Sequence, residues 1–162
     1  MESNFKSIAL VGKYNSASVS VPMMRLAEFL GQRGHDVWLT VHTADHCDSK
    51  GIPNAPLTEL AGRVDLVIVL GGDGTLLNIA RVLAEHPVPM IGINQGRLGF
   101  LADVSIDTML PTLDEMLSGQ YVAEDRIMLE CHLERHGDLF GAAYAFNDMV
   151  VSKGNAGRLI EF

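Results

Sequence analysis

The chain has 162 residues, 48% of them hydrophobic and 20% charged, which is the composition of one ordinary globular domain with a packed core. Twenty acidic against twelve basic residues give a net charge of −8, and this balance excludes a broad nucleic-acid surface, because such a surface needs clustered Lys and Arg. No apolar run approaches the roughly 20 residues that a bilayer requires, so we expect no membrane span. Cys47 and Cys131 have no CxxC companion, which indicates neither a disulfide framework nor a zinc site, and we expect a cytoplasmic protein.

The first half of the chain alternates apolar runs with one amphipathic stretch. Residues 7–11 predict a strand, residues 21–33 a helix and residues 37–41 a second strand. Residues 42–56 carry turn formers and charges of both signs, and they predict a loop with room for one helical turn. Residues 64–70, VDLVIVL, are typical of a strand that is buried on both faces of a parallel sheet. We expect the centre of the fold at this run.

The sequence after this run predicts a βαβ unit. Residues 76–86 place apolar side chains at helical spacing, and residues 89–93 predict the next strand. Strand, helix and strand with short links indicate a parallel sheet with a right-handed crossover. Residues 107–118 predict a further helix. We therefore predict an α/β fold, with an open, mostly parallel, Rossmann-like sheet and helices on both of its faces.

The pattern changes beyond Tyr121. Residues 126–135 and 139–152 predict two extended segments, separated by a turn at His136, Gly137 and Asp138. The sequence then ends at RLIEF, within a further predicted strand. We therefore expect two parts, namely an α/β nucleotide-binding domain over residues 1–120 and the start of a truncated, β-rich second domain over residues 121–162.

The segment that carries chemistry is GGDGT, residues 71–75, at the end of the most apolar strand and the start of a helix. Ligands bind at this position in open α/β sheets, and glycines followed by a helix N-terminus suit a phosphate. Asp73 in such a loop repels phosphate, so it has either a chemical reason, such as accepting a proton or a hydrogen bond from a sugar hydroxyl, or a structural one, as a helix cap together with Thr75. GxxxxGK[ST] and GxGxxG are both absent, which excludes a P-loop and a dehydrogenase fingerprint.

GGDGT resembles the loop of a superfamily that joins NAD kinases, diacylglycerol and sphingosine kinases and ATP-dependent phosphofructokinases. IGINQGRLGFLAD, residues 91–103, is similar to the NAD kinase segment GIN-x-G-x-LGFL-x-D. FNDMVVSKGNAGRLIEF, residues 146–162, is similar to its N-[DE]-x-x-[IVL] segment and the following R-x-[IV]-x-F strand. With the apolar strand before GGDGT, the three motifs cover residues 64–162 in family order, and the sequence departs from the pattern at Gln95, where many members have Arg or Thr.

The resemblance implies an NAD kinase, which transfers the γ-phosphoryl group of ATP to the 2′-hydroxyl of the adenosine ribose of NAD and so produces NADP. It implies that Asp73 is the base for that hydroxyl and that Gly74 packs against NAD. It also implies that the phosphate-facing loop is shaped by Gly71, Gly72 and Thr75.

The same resemblance implies contributions from the end of the chain. Asn147 and Asp148 match the pair that holds the adenosine end of NAD, and Arg158 matches a variable position that reaches the NAD site from a neighbouring subunit. A homo-oligomer, dimer or tetramer, is therefore expected of the full-length protein. The implied cofactor is Mg²⁺ or another divalent cation that arrives with ATP, and no metal site built from the protein's own residues is expected.

Two alternatives stay open at this point. A lipid kinase of the diacylglycerol or sphingosine type is also built on GGDGT, although the Asn147, Asp148 and LGFL matches speak against it. A non-catalytic nucleotide-binding module is the second alternative, because the family's second domain supplies more of the NAD pocket and the site in this chain is expected to be incomplete. Lys13, after the first strand, is a candidate phosphate contact.

Overall fold

The computed structural model describes residues 5–13, 19–49, 51–96, 99–146 and 148–151. The chain divides into two compact units, Met1–Ala123 and Glu124–Phe162, and each is described by itself. That the second unit begins a larger β-rich domain stays a prediction.

The first unit is built on one six-stranded sheet whose paired strands all run parallel. The strand order is β3-β2-β1-β4-β5-β6. The strands are β1 Ser7–Gly12, β2 Asp36–Thr40, β3 Asn54–Ala55, β4 Leu66–Leu70, β5 Met90–Asn94 and β6 Val104–Ser105. This is the order of a doubly wound α/β sheet, in which the chain winds outward from β1 in one direction and then returns to wind outward from β4 in the other.

Helices cover both faces of this sheet. They are α1 Ser20–Gln32, α2 Val41–Ala44, α3 Leu57–Leu60, α4 Asp73–Val82 and α5 Met109–Leu117. The core therefore has two layers: α1 and α5 share one buried cluster with the sheet, whereas α3 and α4 share the other. The predicted α/β class, with a parallel sheet and helices on both faces, is confirmed.

The alternation of side chains along β4 explains its continuous apolar run. Leu66, Ile68 and Leu70 belong to the cluster under α1 and α5, whereas Val67 and Val69 belong to the cluster under α3 and α4. All five side chains are buried. Since each fully buried aliphatic side chain stabilises the fold by roughly 1.5–3 kcal/mol relative to exposure, this strand is the centre of the domain, as predicted.

The reversal of strand order lies between β1 and β4, which are neighbours in the sheet. Gly12 pairs with Leu70 in the register of these strands, so the two strands end side by side at their carboxyl ends. In open α/β sheets, ligands bind in the crevice at this point. The fold therefore places Lys13, which follows β1, and the loop after β4 at the position where a ligand is expected.

The differences from the predicted elements are short. Residues 42–56, predicted as a loop, contain most of α2, the one helical turn for which room was left, and also the two-residue strand β3. The two-residue strand β6 and the one-turn helix α3 were not predicted either. Segments this short carry no periodicity, so neighbouring strands rather than local sequence define them.

The second unit holds an antiparallel hairpin of β7 Leu129–Arg135 and β8 Asp138–Ala145. His136 and Gly137 connect the strands with φ values of 54° and 89°. Positive φ at both positions suits the right-handed twist of a hairpin. The predicted turn is confirmed, but the predicted second strand is too long, because residue 146 and residues 148–151 lie outside any strand. Among the described residues, no helix is both long and apolar enough to cross a membrane.

Candidate functional site

The loop between β4 and α4 holds the GGDGT segment. The Gly71 N–H donates a hydrogen bond to the Ile93 carbonyl of β5 at 2.9 Å, which ties the loop to the neighbouring strand. A Cβ at Gly71 would lie 2.6 Å from Thr75 Oγ1, so only glycine leaves room for the Thr75 side chain. Gly72 then occupies the N-cap position of α4, and its carbonyl accepts the N–H groups of Thr75 and Leu76 at 2.9 and 3.2 Å.

Asp73 is the first residue of α4, and its carboxylate does not cap the helix. The carboxylate instead accepts three backbone N–H groups from another segment of the chain. Phe100 donates to Oδ2 at 2.8 Å, while Leu101 and Ala102 donate to Oδ1 at 3.1 and 3.0 Å. The capping interpretation of Asp73 is therefore wrong, and the structural partners of this side chain lie in the LGFLAD segment.

These hydrogen bonds lower the pKa of the Asp73 carboxyl below its ordinary value of 3.8. The bond from the Ala102 N–H contributes most and that from Phe100 next, while partial desolvation works in the opposite direction. Each bond stabilises the charged form, because a carboxylate accepts N–H groups better than a carboxylic acid does. Asp73 is consequently a fixed anion near neutral pH.

Residues 99–102 form a tight turn, closed by a hydrogen bond of 3.3 Å from the Gly99 N–H to the Ala102 carbonyl. The sequence predicts this segment only as a family marker, and its contact with Asp73 was not predicted. One signal was present in the sequence, namely two glycines: Gly99, the first residue of the turn, and Gly92 in β5. A Cβ at Gly99 would lie 2.2 Å from Asp73 Oδ1, and a Cβ at Gly92 would lie 2.8 Å from Ala102 Cα.

Lys13, the residue after β1, adjoins the end of β4. The Lys13 N–H donates to the Leu70 carbonyl at 2.9 Å, and the Lys13 side chain is exposed. The Gly12 N–H donates to Thr43 Oγ1 at 2.9 Å, and that hydroxyl is 2.7 Å from Thr40 Oγ1. Thr40 and Thr43 are buried polar residues with partners, so they hold the end of β1 in place.

Of the remaining predicted site residues, the structure describes Gly74 and Asp148. Gly74 is exposed in the first turn of α4. Asp148 is exposed in the second unit, and Asn147 and Arg158 lie outside the described residues. The structure thus brings residues 71–75 together with residues 99–102. In the part of the chain that is described, no cluster of three or more His, Cys, Asp or Glu side chains is arranged to hold a metal ion.

A family model described as the ATP-NAD kinase N-terminal domain matches residues 8–121. Curated relatives named NAD kinase include one from Thiobacillus denitrificans, 52% identical over 99% of this chain and 56% of that protein. Another, from Aromatoleum aromaticum, is 48% identical over 100% of this chain and 54% of that protein. The chain therefore spans about half the length of the curated relatives it matches, and the match favours the NAD kinase resemblance over the lipid kinase alternative.

Two solved structures have a similar fold. A yeast NADH kinase complexed with NADH superposes with a TM-score of 0.68 at 21% identity, over 86% of this chain and 46% of that chain. An NAD kinase from Archaeoglobus fulgidus in complex with ATP superposes with a TM-score of 0.56 at 25% identity, over 82% of this chain and 45% of that chain. At 21% identity the first likeness shows the fold alone.

Proposed function

Because the chain belongs to the ATP-NAD kinase family, we propose that the protein carrying it transfers the γ-phosphoryl group of ATP to the 2′-hydroxyl of the adenosine ribose of NAD, giving NADP. The observation that carries this proposal is the Asp73 carboxylate, held by three backbone N–H groups at the carboxyl end of β4. An anion fixed in a ligand crevice is suited to a hydroxyl donor, because a phosphate placed against it is repelled.

Asp73 has two linked roles in the proposed reaction. It accepts a hydrogen bond from the 2′-hydroxyl, which orients the attacking oxygen toward the γ-phosphorus. It then takes the proton as the new oxygen–phosphorus bond forms and the bond between the γ-phosphorus and the β–γ bridging oxygen breaks, so that ADP leaves. A carboxylate with a lowered pKa is a weak base in the ground state, but phosphoryl transfer passes through a loose transition state in which positioning contributes more than early proton removal.

ATP is assigned to the crevice between the loops after β1 and β4. The first-turn N–H groups of a helix lack intrahelical partners and favour an anion, and α4 has 10 residues, long enough for this effect. The exposed Lys13 lies beside this crevice, since its backbone N–H donates a hydrogen bond to the Leu70 carbonyl. Mg²⁺ or another divalent cation is assigned to the phosphates of ATP, the usual arrangement where the protein provides few carboxylates.

The adenosine end of NAD is assigned to Asn147 and Asp148, which match the family's paired motif, and Arg158 is assigned to the NAD site of a neighbouring subunit. This makes the functional protein a homo-oligomer, a dimer or a tetramer. A cytoplasmic location is proposed on the ground that Cys47 and Cys131 are both free thiols, which is the usual state in a reducing compartment.

The test is NADP formation by the natural full-length protein and by its Asp73→Asn variant. We expect the variant to lose on the order of 10²–10⁴ in kcat, the usual range for a positioned acid or base. Asp65→Asn is the matched control, because Asp65 also accepts two backbone N–H groups, from Lys6 and Ser7 at 2.8 Å, but lies at the opposite end of β4. It should retain its rate within a few-fold.

Two outcomes would contradict the proposal. An Asp73→Asn rate within a few-fold of wild type would show that no base is needed at this position. NAD binding in calorimetry without any NADP formation by the wild-type protein would leave the non-catalytic module as the better description.

A further inference from the structure

The turn at residues 99–102 is an anion-binding turn whose anion is the protein's own Asp73. Three successive backbone N–H groups, from Phe100 to Ala102, converge on the two carboxylate oxygens at 2.8–3.1 Å. Consecutive amides that point to one side of a turn form a concave site for an anion. The carboxylate is therefore oriented by a second segment of the chain, in addition to its own helix.

This turn is fixed to the sheet. Ala102 is fully buried, and the Gly92 position of β5 lies so close that a Cβ there would be 2.8 Å from both Ala102 Cα and Ala102 Cβ. Leu101 packs against the buried cluster that includes α4. The position of the three amides is thus set by β5 and by the core, so Asp73 is held at a defined place relative to the sheet.

Gly99 is needed for space. A Cβ at this position would lie 2.2 Å from Asp73 Oδ1, 2.5 Å from Cγ and 2.6 Å from Oδ2. The three nearest atoms all belong to Asp73, so the missing side chain at 99 leaves room for that carboxylate.

The hydrogen bonds also distinguish the two carboxylate oxygens. A carboxylate has about four lone-pair directions, two on each oxygen. Within the described residues, Oδ1 accepts two N–H groups and Oδ2 accepts one. The lone-pair direction that has no N–H partner among the described residues therefore belongs to Oδ2, the oxygen that also accepts the Phe100 N–H.

We propose that Gly99 is a positioning residue for phosphoryl transfer, because the turn that it begins occupies both lone-pair directions of Asp73 Oδ1 and one of Oδ2, and leaves the second direction of Oδ2 to accept the hydrogen bond of the acceptor hydroxyl. This inference rests on the proposed function. It adds that the selectivity for a ribose hydroxyl depends on the turn at residues 99–102 as well as on Asp73 itself.

The experiment compares Gly99→Ala with Gly62→Ala in the natural full-length protein. Gly62 is the matched control, since it is exposed and a Cβ there meets no atom within 4 Å. The readout is the ratio of the dissociation constants of 2′-deoxy-NAD and NAD. In wild type and Gly62→Ala we expect a ratio of roughly 10–100, typical of a hydrogen bond to a charged group.

In Gly99→Ala we expect this ratio to fall close to one, and kcat for NADP formation to fall on the order of 10²-fold, as for a 1 Å misplacement of a reacting group. The KM for ATP should stay within about two-fold, because ATP is assigned to the crevice between the loops after β1 and β4, whereas the turn at residues 99–102 follows β5. Loss of activity with an unchanged ratio would overturn the proposal, since it would mean general damage to the fold.

Two further measurements keep the inference testable if Gly99→Ala folds poorly. In an Asp73→Ala background the Gly99→Ala change should cost little stability, because the clashing carboxylate is gone; an equal loss of melting temperature in both backgrounds would overturn it. In the wild-type protein, the amide proton shifts of Phe100, Leu101 and Ala102 should follow the titration of the Asp73 carboxyl. Amides that do not follow it would also overturn the inference.

Failure of the proposed function is distinguishable from failure of this inference. A wild-type protein that forms no NADP removes both. A wild-type protein that forms NADP, combined with a Gly99→Ala variant that still discriminates against 2′-deoxy-NAD, removes only the role of Gly99.

Discussion

Replacing Gly92 by alanine tests whether the sheet holds the turn that orients Asp73. The added Cβ would lie 2.8 Å from the backbone Cα of Ala102 and 3.4 Å from the Leu101 carbonyl oxygen. Carbon atoms in contact lie roughly 3.5–4.0 Å apart, so the turn must move by roughly 0.7 Å or more. The backbone of the buried Ala102 cannot rotate away as a flexible side chain can, and overpacking of this kind costs about 1–3 kcal/mol.

A change in the entropy of the unfolded chain opposes this loss of stability. Alanine restricts the unfolded chain more than glycine does, which stabilises a protein by about 0.4–1 kcal/mol where the native backbone permits it. The overpacking exceeds this gain, so we expect Gly92→Ala to lower the free energy of unfolding by ~0.5–2 kcal/mol and the melting temperature by roughly 2–6 °C. Gly62→Ala has the same entropic gain without a clash, and its melting temperature should stay equal or rise.

Thermal unfolding followed by circular dichroism measures the loss of stability, and an NADP-formation assay of the full-length protein measures the loss of activity. Since the displaced turn carries the amides bound to Asp73, we expect kcat to fall about ten-fold. Adding Ala102→Gly to the Gly92→Ala variant should restore only part of the lost stability, because the Cβ at position 92 would still lie 2.8 Å from the Cα of residue 102. A Gly92→Ala protein as stable and as active as wild type would refute the reasoning.

Two further predictions concern charge at the site. The lowered pKa of Asp73 means that its stabilising contribution is fully present above the unfolded value of 3.8 and is lost as the pH falls through the folded value. The melting-temperature difference between wild type and Asp73→Asn should therefore shrink between pH 6 and pH 3, and a constant difference would contradict this. Lys13→Ala should weaken ATP binding several-fold in calorimetry, in a salt-dependent manner, with NAD affinity unchanged; unchanged ATP affinity would remove Lys13 from the site.

The long elements of the fold were predictable because each carries its own pattern. The apolar run of β4 and the helical spacing in α1 and α4 reflect burial on one or both faces, and burial is written in the local sequence. The two-residue strands β3 and β6 were not predictable, since they exist through pairing with β2 and β5 alone. The length of β8 was overestimated for the same reason: strand propensity continues beyond Ala145, but pairing with β7 ends there.

The candidate site was predictable up to the loop and no further. Glycines and one carboxylate at a strand–helix junction indicate a ligand site without knowledge of the rest of the fold. The partners of Asp73 lie 27 to 29 residues away, and they are backbone amides, which every residue except proline possesses. Only the absence of side chains at Gly92 and Gly99 records that contact in the sequence, and its meaning depends on distances that the fold determines.

A carboxylate in a crevice suited to phosphate would repel the phosphate, and the turn at residues 99–102 reduces this repulsion. The net charge of −8 gives the chain no general attraction for anionic ligands, so any anion must be held by local groups. Three amide dipoles directed at Asp73 offset part of its charge toward the crevice, while they leave it ionised and pointed in one direction. Such a group repels phosphate less than an unpaired carboxylate does and still accepts a hydrogen bond from a hydroxyl. In the reaction we propose, the same contacts let the phosphoryl donor and the hydroxyl acceptor occupy neighbouring positions.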